Sequence, residues 1–185
     1  MSIRAIRLIG DPVLEHKCAP VAVFDDDLKA LLTDLKETMY AAPGVGLAAN
    51  QIGVSRHVAV VDITVGEHEG NFIILVNPRI VAEEGRQEEE EGCLSVPDVT
   101  EKVVRPMKVT VEAADADGNL QVLQGEGLLA RAFCHEIDHL NGGFFLDRLK
   151  GLKKTLAYRK ARKIQKDGHD KGPSSSRERL SSGLG

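Results

Sequence analysis

The chain has 185 residues, 42% of them apolar, enough to bury one sizeable core. A formal net charge of −4 argues against a general or sequence-specific nucleic-acid binder, which would carry a basic face. No apolar run reaches the roughly 20 residues of a membrane span, and Met1-Ser2-Ile3-Arg4-Ala5 lacks the apolar stretch of a secretory signal, so a cytoplasmic protein without membrane association is expected.

The first predicted element opens at Phe24-Asp25-Asp26-Asp27, where acidic residues suit the positive end of a helix dipole. Leu28, Leu31, Leu32, Leu35 and Met39 then recur at three- and four-residue steps, which predicts a helix laying a leucine stripe on a core. Next comes Pro43-Gly44-Val45-Gly46-Leu47-Ala48-Ala49-Asn50-Gln51-Ile52-Gly53, read as a loop in which the small Gly44 and Gly46 let an extended peptide pair with backbone groups. A lone Gly-x-Gly would equally serve as a turn before a strand. No Lys-Ser or Lys-Thr follows it, so it is not a phosphate loop.

Residues 57–63, 72–76 and 107–113 are rich in β-branched side chains and bounded by turn residues, and read as strands. The acidic run 83–91 between them reads as a solvated strand or hairpin face. Asp115-Ala116-Asp117-Gly118-Asn119 fits a hairpin turn, with a returning strand over 120–123. Residues 149–166 form a basic helix whose charge opposes that of the body, and the Gly/Ser-rich 167–185 read as a disordered tail.

Chemistry concentrates in His135-Glu136-Ile137-Asp138-His139. Residues four apart stack on one face of a helix, so His135 and His139 can offer ring nitrogens to one cation while Glu136 reaches a water bound to it. The preceding segment, 127–134, is small and largely apolar, which suggests a buried helix where imidazoles need partners. A hydrolytic metal takes three protein ligands and keeps one position open. Downstream there is no third: the sixth residue after His139 is Phe145, which rules out a metzincin, and the only later glutamate is Glu178, in the polar tail. Upstream, Cys93 in Glu91-Gly92-Cys93-Leu94-Ser95 is the best candidate, since a thiolate suits zinc or iron(II). Cys18 sits in a polar segment, and Cys134 would point away from the histidine face. Three widely spaced cysteines give no disulfide framework and fit a reducing compartment. Strands flanked by a helix at each end favour an α+β fold: mixed or antiparallel sheets packed around a central metal-binding helix, with an N-terminal and a C-terminal helix, in one domain over 1–166.

With Gly-Val-Gly-Leu-Ala-Ala-Asn-Gln at 44–51, Glu-Gly-Cys-Leu-Ser at 91–95 and His-Glu-Ile-Asp-His at 135–139, the chain resembles the peptide deformylases from Arg4 to about Lys150. The resemblance implies that Cys93, His135 and His139 bind one divalent metal and that Glu136 is the general base and acid. It further implies that Gln51, with the Leu94 backbone N–H, holds the oxyanion. Iron(II) is the implied physiological metal, although zinc, nickel or cobalt suit the same donors. The implied substrates are N-formylmethionyl peptides, bound along Gly46, with Val45, Glu91, Leu128 and Ala132 lining the pocket for the first side chain. As such chains emerge from ribosomes, the basic terminal helix becomes a candidate contact for ribosomal RNA. The chain departs from the common pattern at Cys134, where a glutamine would be expected, and this bears on hydrogen bonding behind the ligands. A zinc peptidase, or a closed four-ligand module without turnover, shares some of these features but leaves Gln51 and the cysteine motif unexplained.

Overall fold

The structure is a computed structural model describing residues 3–68 and 70–169. The first helix, α1 (Asp26–Ala41), starts where the acidic cluster predicts: the Asp25 carboxylate accepts the Leu28 N–H at 3.0 Å, satisfying one of the open donors of the first turn. Its predicted stripe is buried, with Leu28, Leu31, Leu32, Leu35 and Met39 all in the core.

That stripe packs on a five-stranded antiparallel sheet ordered β1-β2-β3-β6-β7, made of β1 (Gly46–Ala48), β2 (Val58–Val61), β3 (Ile73–Glu84), β6 (Lys108–Ala114) and β7 (Leu120–Glu126). Side chains alternate across a strand, and β2 uses both faces. Val58 and Val60 join the α1 cluster, while Ala59 and Val61 join a second cluster formed with α2 (Leu128–Leu140) through Ala130, Phe133, Cys134 and Ile137. The sheet is thus covered by a helix on each face. Cys134 is a core residue, its thiol pushed up to about 11 by burial.

A separate two-stranded antiparallel sheet, β4 (Gln87–Cys93) and β5 (Val96–Arg105), belongs to a third cluster. There Val96, Val99 and Val103 meet Phe144, Phe145, Leu146 and Leu149 and the small Ala157 and Ala161 of α3 (Gly151–His169).

Several expectations are corrected. The segment 43–53 contains a strand, β1, followed by a 3-10 turn over Ala49–Ile52, rather than loop alone. Strand β3 continues past Val76 to Glu84, across a register shift at Pro78, which has no N–H to give the ladder. The acidic run is divided between the end of β3 and β4, and β5 is an additional strand. The basic helix starts at Gly151, because Leu149 is extended, and runs to His169. Of the tail expected over 167–185, the residues from 170 on lie outside the described residues. Among the described residues, no helix is long and apolar enough to cross a membrane.

Candidate metal centre

The two histidines of α2 come from successive turns, and their Nε2 atoms lie 3.2 Å apart. Cys93 arrives from the other sheet: it ends β4 at a two-residue turn, Leu94-Ser95, which aims its sulfur at α2, with Sγ 3.1 Å from His139 Nε2. All three donor atoms lie within 4.8 Å of one another. Tetrahedral coordination at ordinary zinc bond lengths separates N from N, and N from S, by roughly 3.3 to 3.6 Å. The two separations above fall slightly below that range, and the donor set suits one first-row divalent ion.

His135 and Cys93 are held by hydrogen bonds, whereas His139 Nδ1 has no partner among the described residues. His135 Nδ1 donates to Glu91 Oε1 at 2.7 Å, which fixes the tautomer that leaves Nε2 facing the site. Burial would raise the Glu91 carboxyl, but hydrogen bonds from His135 and Arg105 outweigh it and hold the group down at about 2. Phe144 meets the His139 ring edge-on, and Phe145 stacks on His135. The His139 carbonyl accepts from Asn50 Nδ2 at 2.6 Å, tying α2 to the turn after β1. Two hydrogen bonds point at the sulfur, from Ser95 N–H at 3.4 Å and Gln51 Nε2 at 3.7 Å.

Glu136, between the two histidines in sequence, is 3% exposed, and burial lifts its carboxyl to about 7. Its Oε2 has no protein partner among the described residues, although a buried carboxylate oxygen is costly to leave unmatched. Gln51 is 2% exposed and set by two contacts: Oε1 accepts the Ala48 N–H at 2.9 Å, and Nε2 donates to Ser95 Oγ at 3.2 Å. Its amide donor is thereby turned toward the metal cluster. Leu94, half-buried, sits in the turn immediately after Cys93.

Among the expected pocket residues, Val45 and Gly46 lie at the outer edge of the larger sheet, where β1 has a neighbour on one side only. Leu128, at 50% exposed, and Ala132, at 3%, precede Glu136 at four-residue steps along one face of α2. Glu91 is buried against His135, with its carboxylate taken by Arg105, Arg131 and His135. Sequence reasoning missed Arg105, Arg131, Ser95 and Asn50. Arg131 carried a signal, as the lone charge in the apolar stretch before His135, where an unpaired cation is rare.

A Cys-His-His donor set with a buried glutamate beside it, on this α+β frame, defines a mononuclear metallohydrolase. The polypeptide deformylase family model matches residues 3–155. The chain belongs to that family. It is 51% identical over 168 residues to the peptide deformylase of Acidobacterium capsulatum, covering 91% of this chain and 99% of that protein. A solved peptide deformylase from Legionella pneumophila superposes with a TM-score of 0.84 at 47% identity, covering 92% of this chain and 99% of the other. The Thermus thermophilus peptide deformylase gives a TM-score of 0.81 at 41% identity, over 89% and 99% of the two chains.

Proposed function

We propose that this chain removes the formyl group from the N-terminal methionine of newly made polypeptides in the cytoplasm, releasing formate, with residues 1–166 as one catalytic domain. The observation that carries the reading is the convergence of Cys93, His135 and His139 beside Glu136, with the Gln51 amide turned into the same space. A divalent ion in that donor set, iron(II) in our reading although zinc, nickel or cobalt suit it, supplies Lewis acidity and a water acidic enough to attack near neutral pH.

The side chains then divide the work. Glu136 accepts the proton of the attacking water. As the water oxygen bonds to the formyl carbon, negative charge grows on the formyl oxygen, where Gln51 Nε2 and the Leu94 N–H donate to it. Glu136 passes its proton to the amide nitrogen, the C–N bond breaks to free the amine, and the formyl carbon departs with the new oxygen and its remaining proton as formic acid, which ionises to formate in solution. The free edge of β1 at Val45 and Gly46 suits an extended peptide, because backbone pairing ignores side-chain identity. Leu128 and Ala132 offer apolar surface for the methionine side chain, and Glu91 lines the same pocket while holding His135.

Formate release from a formyl-Met tripeptide, measured against its acetylated counterpart before and after chelation, tests this. Metal-dependent release from the formyl peptide alone is expected. Equal cleavage of the acetyl peptide, or of an internal peptide bond, would point to another amide hydrolase.

A partner reading rests on α3. Arg159, Lys160, Arg162, Lys163 and Lys166 are exposed along it, and a groove of about 870 Å³ runs between this helix and Phe144. Such a face suits ribosomal RNA. Because Ala157 and Ala161 are core residues, deleting the helix would also damage packing. Charge reversal at Arg159, Lys163 and Lys166 is the cleaner test: ribosome affinity should fall and lose its salt dependence, and unchanged affinity would remove the reading.

A further inference from the structure

The metal cluster draws its ligands from two separately built pieces. Cys93 belongs to the β4–β5 hairpin, and both imidazoles belong to α2. How the hairpin seats on the helix therefore sets the distance between sulfur and nitrogens, and a linked row of ions bridges the two. Glu91 of β4, which accepts from His135, takes the Arg105 guanidinium of β5 in a two-point contact, Nε to Oε2 at 3.1 Å and Nη2 to Oε1 at 2.6 Å. Arg105 reaches on with Nη1 to Asp138 Oδ2 at 2.6 Å, so the hairpin is tied to the turn of α2 between His135 and His139. Asp138 in turn takes a two-point contact from Arg148, with Nε 3.1 Å from Oδ2 and Nη2 against Oδ1. Arg148 ends the 3-10 turn Phe145–Arg148, whose Phe145 stacks on His135.

Exposure grades outward along the row. The side chains of Arg105, Glu91 and Asp138 are 1%, 5% and 15% exposed, and that of Arg148 is 49%. Two-point guanidinium–carboxylate contacts fix direction as well as distance. With its charge unanswered by Arg148, Asp138 would be drawn toward water and would share Arg105 less favourably with Glu91.

We infer that Asp138 and Arg148, which touch neither metal nor substrate, are positioning residues that retain the metal: Arg148 holds Asp138, Asp138 holds Arg105, and Arg105 holds Glu91 against His135. The inference rests on Cys93, His135 and His139 as the ligands, and it goes beyond them to the outer surface of the protein.

The test uses the full chain loaded with cobalt(II), whose sulfur-to-cobalt absorption reports the bond to Cys93, and follows decay of that band under excess chelator. Melting of the metal-free proteins is recorded in parallel. Arg148→Gln, at a half-exposed position that tolerates the change, should lose cobalt about tenfold faster than the parent, and Asp138→Asn between about tenfold and 100-fold faster. Arg79→Gln, which breaks an exposed ion pair with Glu112 on the other sheet, should lose it at the parent rate. Parent-like loss from both Arg148→Gln and Asp138→Asn overturns the inference. So does a fall in metal-free melting temperature without faster loss, since the row would then be merely structural. A parent protein that binds one cobalt without the sulfur band would instead overturn the ligand assignment, and this inference with it.

Discussion

Gly46 lies directly against Glu136: a Cβ placed on Gly46 would stand 2.5 Å from Glu136 Oε1 and 2.9 Å from Cδ. The contact is set by burial on both sides, since Gly46 is held in β1 by its pairing with Val61 and Glu136 is enclosed on α2. Gly46→Ala should displace the carboxylate without touching a metal ligand. A misplacement of about 1 Å typically costs on the order of 100-fold in turnover, and we expect that loss in kcat with metal content unchanged. Kinetics and metal analysis of one preparation check it, and parent-like kcat would show that Glu136 has room to shift.

In the proposed reaction Gln51 adds an oxyanion contact to the structural bond it makes with Ala48. Gln51→Leu removes the Nε2 donor and leaves the Ala48 N–H without its present acceptor. Losing one oxyanion donor costs about 3 kcal/mol in the barrier. Losing one buried hydrogen bond costs about 1 kcal/mol in stability. The expected result is a fall of roughly two to three orders of magnitude in kcat, little change in KM, and a small drop in melting temperature. If the loss fell on KM instead, Gln51 would be holding the substrate in its ground state.

Stability should depend on acid at Asp62, away from the metal. Asp62 is 1% exposed; burial would raise its pKa, but hydrogen bonds from the Thr64 hydroxyl, Tyr40 and the Thr64 and Gly66 N–H groups outweigh it and lower it. A carboxyl whose folded pKa is depressed adds stability that is fully present above the unfolded value of about 4 and is lost as pH falls through the folded pKa. The parent should therefore exceed Asp62→Asn in unfolding free energy at pH 6, with the gap closing as pH drops below about 4. Denaturant melts across that range measure it, and a gap that stays constant down to pH 3 would contradict it.

What could be read from the sequence follows from how local each signal is. The α1 stripe and the His135/His139 pair are set by helical spacing, and both stand as the sequence predicts. Leu28 or His139 needs only its own helix to declare its face. Strand β5 was invisible because Pro97, Asp98, Thr100, Glu101 and Lys102 interrupt its apolar pattern, and only pairing with β4 makes it a strand. The same distance in sequence hid the ion row: Glu91, Arg105, Asp138 and Arg148 come from four elements, and no spacing rule joins them. Glu91 was noticed as part of a motif, yet its place beneath His135 could be seen only once the hairpin was seated on α2.

The central claim is that Glu136 does the proton transfer while Cys93 holds the metal, and one comparison separates the two roles. Formate release from a formyl-Met tripeptide should be measured for the parent, Glu136→Gln and Cys93→Ala, all prepared anaerobically, with metal determined on each sample. The account predicts full metal with turnover reduced by two to four orders of magnitude in Glu136→Gln, and loss of both metal and turnover in Cys93→Ala. Substantial turnover by metal-loaded Glu136→Gln, or a full complement of metal in Cys93→Ala, would contradict it.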